Sequence, residues 1–142
     1  MNNVELNEEE ISQELKRLEN TRVDEKKISD TLNKQEYVNK VSQKGPLKEK
    51  INDIKLLFEM LKNNNTKNIK GEVFTISVAS IAVIVGALLY IVSPLDLIPD
   101  AIPVIGFIDD AAIITATILK LNKEIQDYKK WKEESNIDQE KG

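Results

Sequence analysis

The stretch that decides the fold runs from Tyr90 to Asp110 and reads YIVSPLDLIPDAIPVIGFIDD. It holds three of the four prolines of the chain and four aspartates in an otherwise apolar sequence. Each proline removes a backbone N–H donor and disfavours helix in the residue before it. Glycine permits backbone conformations closed to other residues. The stretch therefore predicts a loop over residues 94–108 between two helices, shaped by Pro94, Pro99, Pro103 and Gly106.

The aspartates of this stretch are the candidate functional residues: Asp96, Asp100, Asp109 and Asp110. Asp109 or Asp110 can accept backbone N–H bonds at the start of the following helix, where the helix dipole favours an anion. Asp96 and Asp100 would share one face of a helical turn. Two interpretations stay open. The carboxylates cap helices and fasten the loop, or they bind a proton or a divalent cation such as Ca²⁺ or Mg²⁺.

An uncharged run leads into the loop, with the sequence VFTISVASIAVIVGALLYIV at residues 73–92. Its length matches the ~20 residues that a helix needs to span a bilayer. The run is apolar on all sides, so a helix formed by it must be covered all round. The rest of the chain offers too few ordered helices for that cover. A membrane-embedded helix near 73–93 is predicted, and a soluble oligomer is the alternative.

Small residues recur at helical spacing along this run, at Thr75, Ala79, Ala82 and Gly86. Small faces let helices approach closely in lipid, where packing drives their association. A matching small face on the helix after the loop would consist of Ala112 with Ala116, or of Ala111 with Thr115.

Two further helices are predicted, near 47–62 and near 109–131. The first has one apolar stripe, and the stripe of the second continues into the charged region that follows. The members of the two stripes are Leu47, Ile51, Ile54, Phe58 and Leu61, and then Ile114, Ile118, Leu121, Ile125 and Tyr128. Trp131 stands where an aromatic anchor at a membrane interface would stand. The predicted fold class is all-α, a small helical hairpin embedded in the membrane.

Lysines flank the apolar region on both sides, whereas the loop has four acids and no base. The lysines are Lys62, Lys67 and Lys70 before it, and Lys120, Lys123, Lys129, Lys130 and Lys132 after it. The positive-inside rule then places both termini in the cytoplasm. The predicted location is the cell membrane, with the lipid bilayer as a partner.

The chain divides into three parts by composition. Residues 1–44 are predicted to be a charged tail, partly helical or disordered, because their apolar residues are sparse. Residues 45–132 form the helical membrane-associated domain, and residues 133–142 form a polar C-terminal tail. The tail and the loop are the parts expected to bind a protein partner or a second copy in a homo-oligomer.

Composition excludes several classes of function. The net charge of −4 argues against a nucleic-acid partner. The 142 residues include no histidine and no cysteine, which removes imidazole and thiolate catalysis and leaves only oxygen ligands for a metal. There is no glycine-rich phosphate loop. The chain is therefore predicted not to be an enzyme, and no cofactor is expected beyond a divalent cation.

The central stretch resembles the signature of the YkvA-like family, with the pattern YxxSPxDLIPDxIPxxGxxDD. The matching positions are Tyr90, Ser93, Pro94, Asp96, Leu97, Ile98, Pro99, Asp100, Ile102, Pro103, Gly106, Asp109 and Asp110. Ala101 departs from the aromatic residue often found at its position, and the similarity extends more weakly over 47–131. The resemblance implies a small helical, membrane-associated protein with a domain of unknown function and no agreed activity. An interaction or scaffold module is the function we expect.

Overall fold

The computed structural model describes residues 3–43, 45–92 and 110–141, and these residues are mostly helical. The elements are α1 (Asn3–Glu19), α2 (Glu25–Leu32), α3 (Gln35–Val41), a 3₁₀ segment (Gly45–Lys50), α4 (Ile51–Asn63), β1 (Thr66–Lys67), β2 (Val73–Phe74), α5 (Val78–Val92), α6 (Asp110–Lys120) and α7 (Asn122–Lys141). The two short strands pair in antiparallel fashion. The mostly helical fold expected from the sequence is confirmed. The β-hairpin formed by β1 and β2 was not expected.

Helix α5 lies at the centre of the fold. Val83, Ile84, Ala87 and Leu88 are completely buried in it. Helices α1, α2, α3, α4 and α6 all pack against α5. The sequence-based argument that the chain cannot cover such a helix is therefore wrong, because residues 3–41 supply the missing cover.

The N-terminal segment is helical, and it contributes to the core. Leu15 and Leu18 of α1 and Val38 of α3 are buried in the same apolar cluster as α5. Asp24 caps α2 by accepting a hydrogen bond from the backbone N–H of Lys27. This differs from the expectation of a tail outside the core. Apolar residues are sparse here, but Leu15, Leu18 and Val38 point inward. At the other end of the chain, α7 continues to Lys141 through the residues predicted to be a polar tail.

The strand β2 replaces the beginning of the helix predicted near 73–93. Burial alternates over residues 73–77, with Phe74 and Ile76 inside and their neighbours exposed, which is the two-residue period of an extended chain. Gly71 has a φ of +83° in the hairpin turn, a conformation that glycine adopts without a steric cost. Helix α5 then begins after Ser77, whose hydroxyl accepts a hydrogen bond from the Ser80 N–H at 3.1 Å.

Helix α5 has 15 residues. At 1.5 Å per residue that is about 22 Å, against about 30 Å for the hydrocarbon core of a bilayer. Within 3–43, 45–92 and 110–141, no helix has both the length and the apolar character needed to cross a membrane.

The apolar stripes predicted on either side are confirmed in most of their members. Ile54, Phe58 and Leu61 of α4 are buried. Leu47 and Ile51 are half-buried, and Leu47 lies in the 3₁₀ segment, so the α-helix begins four residues later than predicted. The helix predicted near 109–131 is interrupted only at Leu121, and the backbone bonds from Leu121 to Thr117 and from Ile125 to Leu121 continue across this position. Four members of the second stripe are buried: Ile114, Leu121, Ile125 and Tyr128.

The small face of α5 has a different partner from the one expected. A β-carbon added to Gly86 would overlap the side chain of Leu18 in α1. Ala79 is exposed, and Thr75 precedes the helix. The glycine therefore admits a large leucine from the N-terminal segment, instead of a small residue of α6.

Candidate functional site

The predicted site lies almost entirely outside the described residues. This holds for three of its aspartates, Asp96, Asp100 and Asp109, and for the loop-shaping residues Pro94, Pro99, Pro103 and Gly106. Asp110 is described as the first residue of α6, without its side chain. Among the described residues, no group of three or more acidic side chains could hold a metal ion. The cation site therefore stays a prediction.

Helices α5 and α6, which flank that stretch, pack directly against each other. Tyr90 of α5 lies three residues before the undescribed stretch 93–109. Its side chain is 1% exposed, so its hydroxyl group is buried. Burial first, and then the neighbouring Glu14 carboxylate, raise the pKa of Tyr90. The Tyr90 hydroxyl makes no hydrogen bond of ordinary geometry to any described residue.

Glu14 is an acid in the interior of the protein, with no exposed surface. The guanidinium of Arg17 neutralises it through Nε, which lies 2.9 Å and 3.1 Å from the two carboxylate oxygens, and through Nη2. The hydrogen bond to Glu14 raises the pKa of Arg17 further above its ordinary value. Glu14, Arg17 and Tyr90 thus form one polar cluster between α1 and α5, hereafter the Glu14 cluster. The burial of Glu14 is thus made tolerable by its pairing with Arg17.

A mostly apolar groove of about 620 Å³ runs between α1 and α6. Its lining includes Ile11 and Leu15 on one side and Ala116 and Leu119 on the other. Lys120 of α6 forms an ion pair with Glu19 of α1 at 3.1 Å, which ties the two helices together.

A second polar cluster joins α4 to α7. The Tyr128 hydroxyl donates a hydrogen bond to Glu59 at 2.8 Å and accepts one from Asn63 at 3.0 Å. Lys132 Nζ lies 2.6 Å from the same Glu59 oxygen. Partial burial opposes ionisation of Glu59, but the bonds from Lys132 and Tyr128 prevail and lower its pKa.

The hairpin is held against α7 by aromatic packing. Phe74 meets Tyr128 edge to face at 4.9 Å between ring centroids, and Tyr128 stacks on Trp131 at 5.6 Å. Trp131 Nε1 donates a hydrogen bond to the Glu72 carbonyl at 2.8 Å. The tryptophan expected to anchor a membrane interface is therefore part of the support for the hairpin.

The start of α5 is held by an acid from α7. Glu124 accepts a hydrogen bond of 2.6 Å from the Ser80 hydroxyl and one of 3.3 Å from the Ser77 N–H. A carboxylate at this position also interacts favourably with the positive end of the helix dipole.

The outer side of the hairpin is apolar and basic. Lys67 pairs with Val73 across the two strands, so both side chains lie on the face opposite Phe74. Ile69 in the turn is 57% exposed, Val73 is 51% exposed, and Val78 at the start of α5 is 80% exposed. Glu72 and Glu134 lie beside each other here, so the bond from Glu134 lowers the pKa of Glu72 and the Glu72 carboxylate raises that of Glu134.

Sequence reasoning missed both the hairpin and the Glu14 cluster. The alternation of Phe74 and Ile76 with polar or β-branched residues, after a glycine turn, was the available signal for the hairpin. No comparable signal identified Glu14, because a glutamate in a charged helix is almost always exposed.

Two of the three comparisons with known proteins found a match. The model of a family described as a protein of unknown function (DUF1232) matches residues 80–116, from α5 to α6. The chain is 38% identical over 85 residues to the uncharacterized membrane protein YkvA of Bacillus subtilis (strain 168). That alignment covers 60% of this chain and 76% of the relative. No solved structure matches.

Proposed function

The chain belongs to the YkvA-like family, and on that basis we propose that it is a membrane-associated helical module that acts by binding and has no catalytic chemistry. The observation that carries the proposal is the similarity to a relative named as a membrane protein, which extends over 85 residues. We place this chain at the cell membrane with both termini in the cytoplasm. The lysines on both sides of the apolar region favour the cytoplasmic leaflet, whose anionic lipids attract basic residues.

The proposed mode of association is contact with the membrane surface. Support comes from the surroundings of α5, the most apolar helix described, because five other helices pack against it and bury most of its side chains, with Val78 and Ala79 at its start left exposed. A helix that is apolar all round and already enclosed by protein has its burial requirement met. The bilayer would then meet the outside of the helical bundle.

The proposed lack of catalysis rests on composition and on the partners of the buried Glu14 and the half-buried Glu59 and Glu124. The sequence has no histidine or cysteine. Glu14 is neutralised by Arg17 and Glu59 by Lys132, while Glu124 holds the start of α5. Glu14 is thus paired within α1, Glu59 and Glu124 join α7 to other helices, and none of the three is poised as a free acid or base.

Membrane fractionation tests the proposal. We expect the full chain to sediment with membranes in low-salt buffer and to be released by alkaline carbonate, while a spanning protein of the same membranes stays in the pellet. Retention after carbonate would overturn the surface location and favour an embedded hairpin. Recovery of all the protein in the low-salt supernatant would overturn membrane association and favour the soluble oligomer.

A further inference from the structure

The β-hairpin presents two different faces. Phe74, which is 4% exposed, points toward α7, and Lys67 and Val73 form a cross-strand pair on the opposite face. Of the five large apolar side chains that are exposed in the described parts of the chain, three lie between residues 69 and 78. They are Ile69, Val73 and Val78. Exposed apolar residues are thus concentrated at this end of the molecule, whereas Tyr37 and Leu119 stand elsewhere.

The hairpin is too well fastened to turn these side chains inward. The Asn68 side chain accepts a hydrogen bond from the Glu72 N–H at 3.0 Å and donates one to the Trp131 carbonyl at 3.3 Å. Phe74 is packed on Tyr128 and Trp131. Ile69 and Val73 are therefore presented to the exterior by a rigid support, which reduces the ordering cost of any contact they make.

The hairpin itself is basic. Lys67 and Lys70 are both exposed. Over residues 66–74 these two lysines stand against Glu72 alone, which leaves the hairpin with a charge of +1 although the whole chain carries −4. Lys70 and Lys130 also act on the Glu72–Glu134 pair. Exposed apolar side chains beside exposed lysines match the surface of an anionic bilayer.

We propose that the exposed surface of the hairpin, formed by Lys67 and Val73 on its outer face and by Ile69 and Lys70 in its turn, is the surface by which the protein binds an anionic lipid bilayer. Ile69 and Val73 enter the headgroup region, and the two lysines contact lipid phosphates. This inference rests on the proposed membrane association and names the surface responsible for it. Because α5 remains inside the protein, the contact needs no opening of the helical bundle.

Vesicle co-sedimentation of the full chain tests this surface. The vesicles are phosphatidylcholine alone, or phosphatidylcholine with about 30% phosphatidylglycerol as the anionic lipid. We expect binding to the anionic vesicles only. Lys67→Glu with Lys70→Glu should weaken it by more than about 25-fold, since each lysine near such a surface contributes about fivefold. Ile69→Ser with Val73→Ser should weaken binding by at least about tenfold, because two apolar side chains are lost.

Each double variant has a matched control elsewhere on the surface. Lys26→Glu with Lys123→Glu changes the net charge by the same amount at two highly exposed positions. Tyr37→Ser with Leu119→Ser removes two other exposed apolar side chains. Both controls should bind within about twofold of the parent chain, since neither lies in the proposed surface. Helical content of all variants is compared by circular dichroism, and only variants with parental helicity are scored.

Three results would overturn the proposal. The first is an equal loss of vesicle binding in the hairpin variants and in their controls. The second is equal binding of the parent chain to neutral and anionic vesicles, and the third is no vesicle binding by the parent chain. The hairpin variants are also followed in cell fractions. If they stay with membranes as the parent chain does, the hairpin assignment fails while the membrane association stands. If the parent chain itself is found only in the soluble fraction, it is the proposed function that fails.

Discussion

Leu18 of α1 occupies the space beside Gly86 of α5, so that a β-carbon on the glycine would lie 3.0 Å from Leu18 Cγ and even closer to its methyl groups. Leu18 is 1% exposed, so its side chain is held inside the core at this contact. The absence of a side chain at Gly86 is therefore what allows the N-terminal helix to reach the central helix.

A size exchange between these two residues tests their contact. Gly86→Ala should lower the free energy of unfolding by about 1–3 kcal/mol through overpacking. Leu18→Ala should lower it by about 2–5 kcal/mol through a cavity. The double variant should be more stable than the sum of the two losses predicts, because each change relieves the other. Ala79→Leu, at an exposed position of α5, serves as the control in urea unfolding, and strict additivity would contradict the contact.

Loss of the buried Glu14–Arg17 ion pair should destabilise the protein more than loss of the exposed Lys26–Asp30 ion pair. Arg17→Ala leaves the Glu14 carboxylate buried without its partner and should cost about 3–5 kcal/mol. Lys26→Ala breaks a pair whose side chains are 85% and 55% exposed, and its effect should be below about 1 kcal/mol. Urea unfolding of both variants measures the difference. Equal losses would mean that Glu14 reaches water in solution.

The lowered pKa of Glu59 predicts that the stability of the fold depends on pH. Its pKa is lowered below the ordinary value of 4.5, so its bonds to Lys132 and Tyr128 stabilise the fold fully above that pH. The stabilisation is lost as the pH falls through the lowered value. Glu59→Gln should therefore be less stable than the parent chain at pH 7, and the gap should narrow in acid. Lys132→Met should show the same narrowing. Thermal unfolding measures the difference in stability between each variant and the parent chain. A difference that stays constant from neutral to acid pH would show that the ionised Glu59 does not stabilise the fold.

Removal of the N-terminal helices should expose α5. A chain that begins at Gly45 loses Leu15, Leu18 and Val38 from the core, and we expect it to lose helicity and to aggregate. Gln13→Asp, an exposed change on α1, should leave both properties unchanged. Circular dichroism and size-exclusion chromatography provide the readouts. A shortened chain that stays monomeric with full helicity would show that residues 45–132 fold independently.

The aspartates of the central stretch need a separate experiment. Asparagine keeps an acceptor oxygen and caps helices about as well as aspartate, but it lacks the charge that hard cations require. Asp109→Asn should therefore be mild for folding. If a cation binds, Asp96→Asn and Asp100→Asn should abolish any rise in melting temperature produced by Ca²⁺ or Mg²⁺. No cation-dependent rise in the parent chain would remove the ion hypothesis.

The amphipathic helices could be predicted because their stripes are regular. Ile54, Phe58 and Leu61 lie on one helical face, and all three are buried. The start of α5 could not be placed from hydrophobicity alone, since Val73 and Phe74 are as apolar as the helix that follows. Only their two-residue alternation separates strand from helix.

The packing of the N-terminal helices against α5 could not be predicted, for a different reason. Leu15 and Leu18 are isolated among charged residues, and composition alone reads such a segment as a solvated tail. The packing of Leu18 depends on Gly86, about seventy positions later, which no local pattern connects to it. The candidate aspartates were found through a motif, and their geometry lies outside the described residues.

The order of the helices along the chain has a consequence for biosynthesis. Four of the five helices that enclose α5, namely α1 to α4, precede it in the sequence, and only α6 follows it. As translation proceeds from the N-terminus, most of this enclosure has left the ribosome before the most apolar segment emerges. The nascent α5 can therefore be captured by helices already made, ahead of the cellular machinery that inserts hydrophobic segments into membranes.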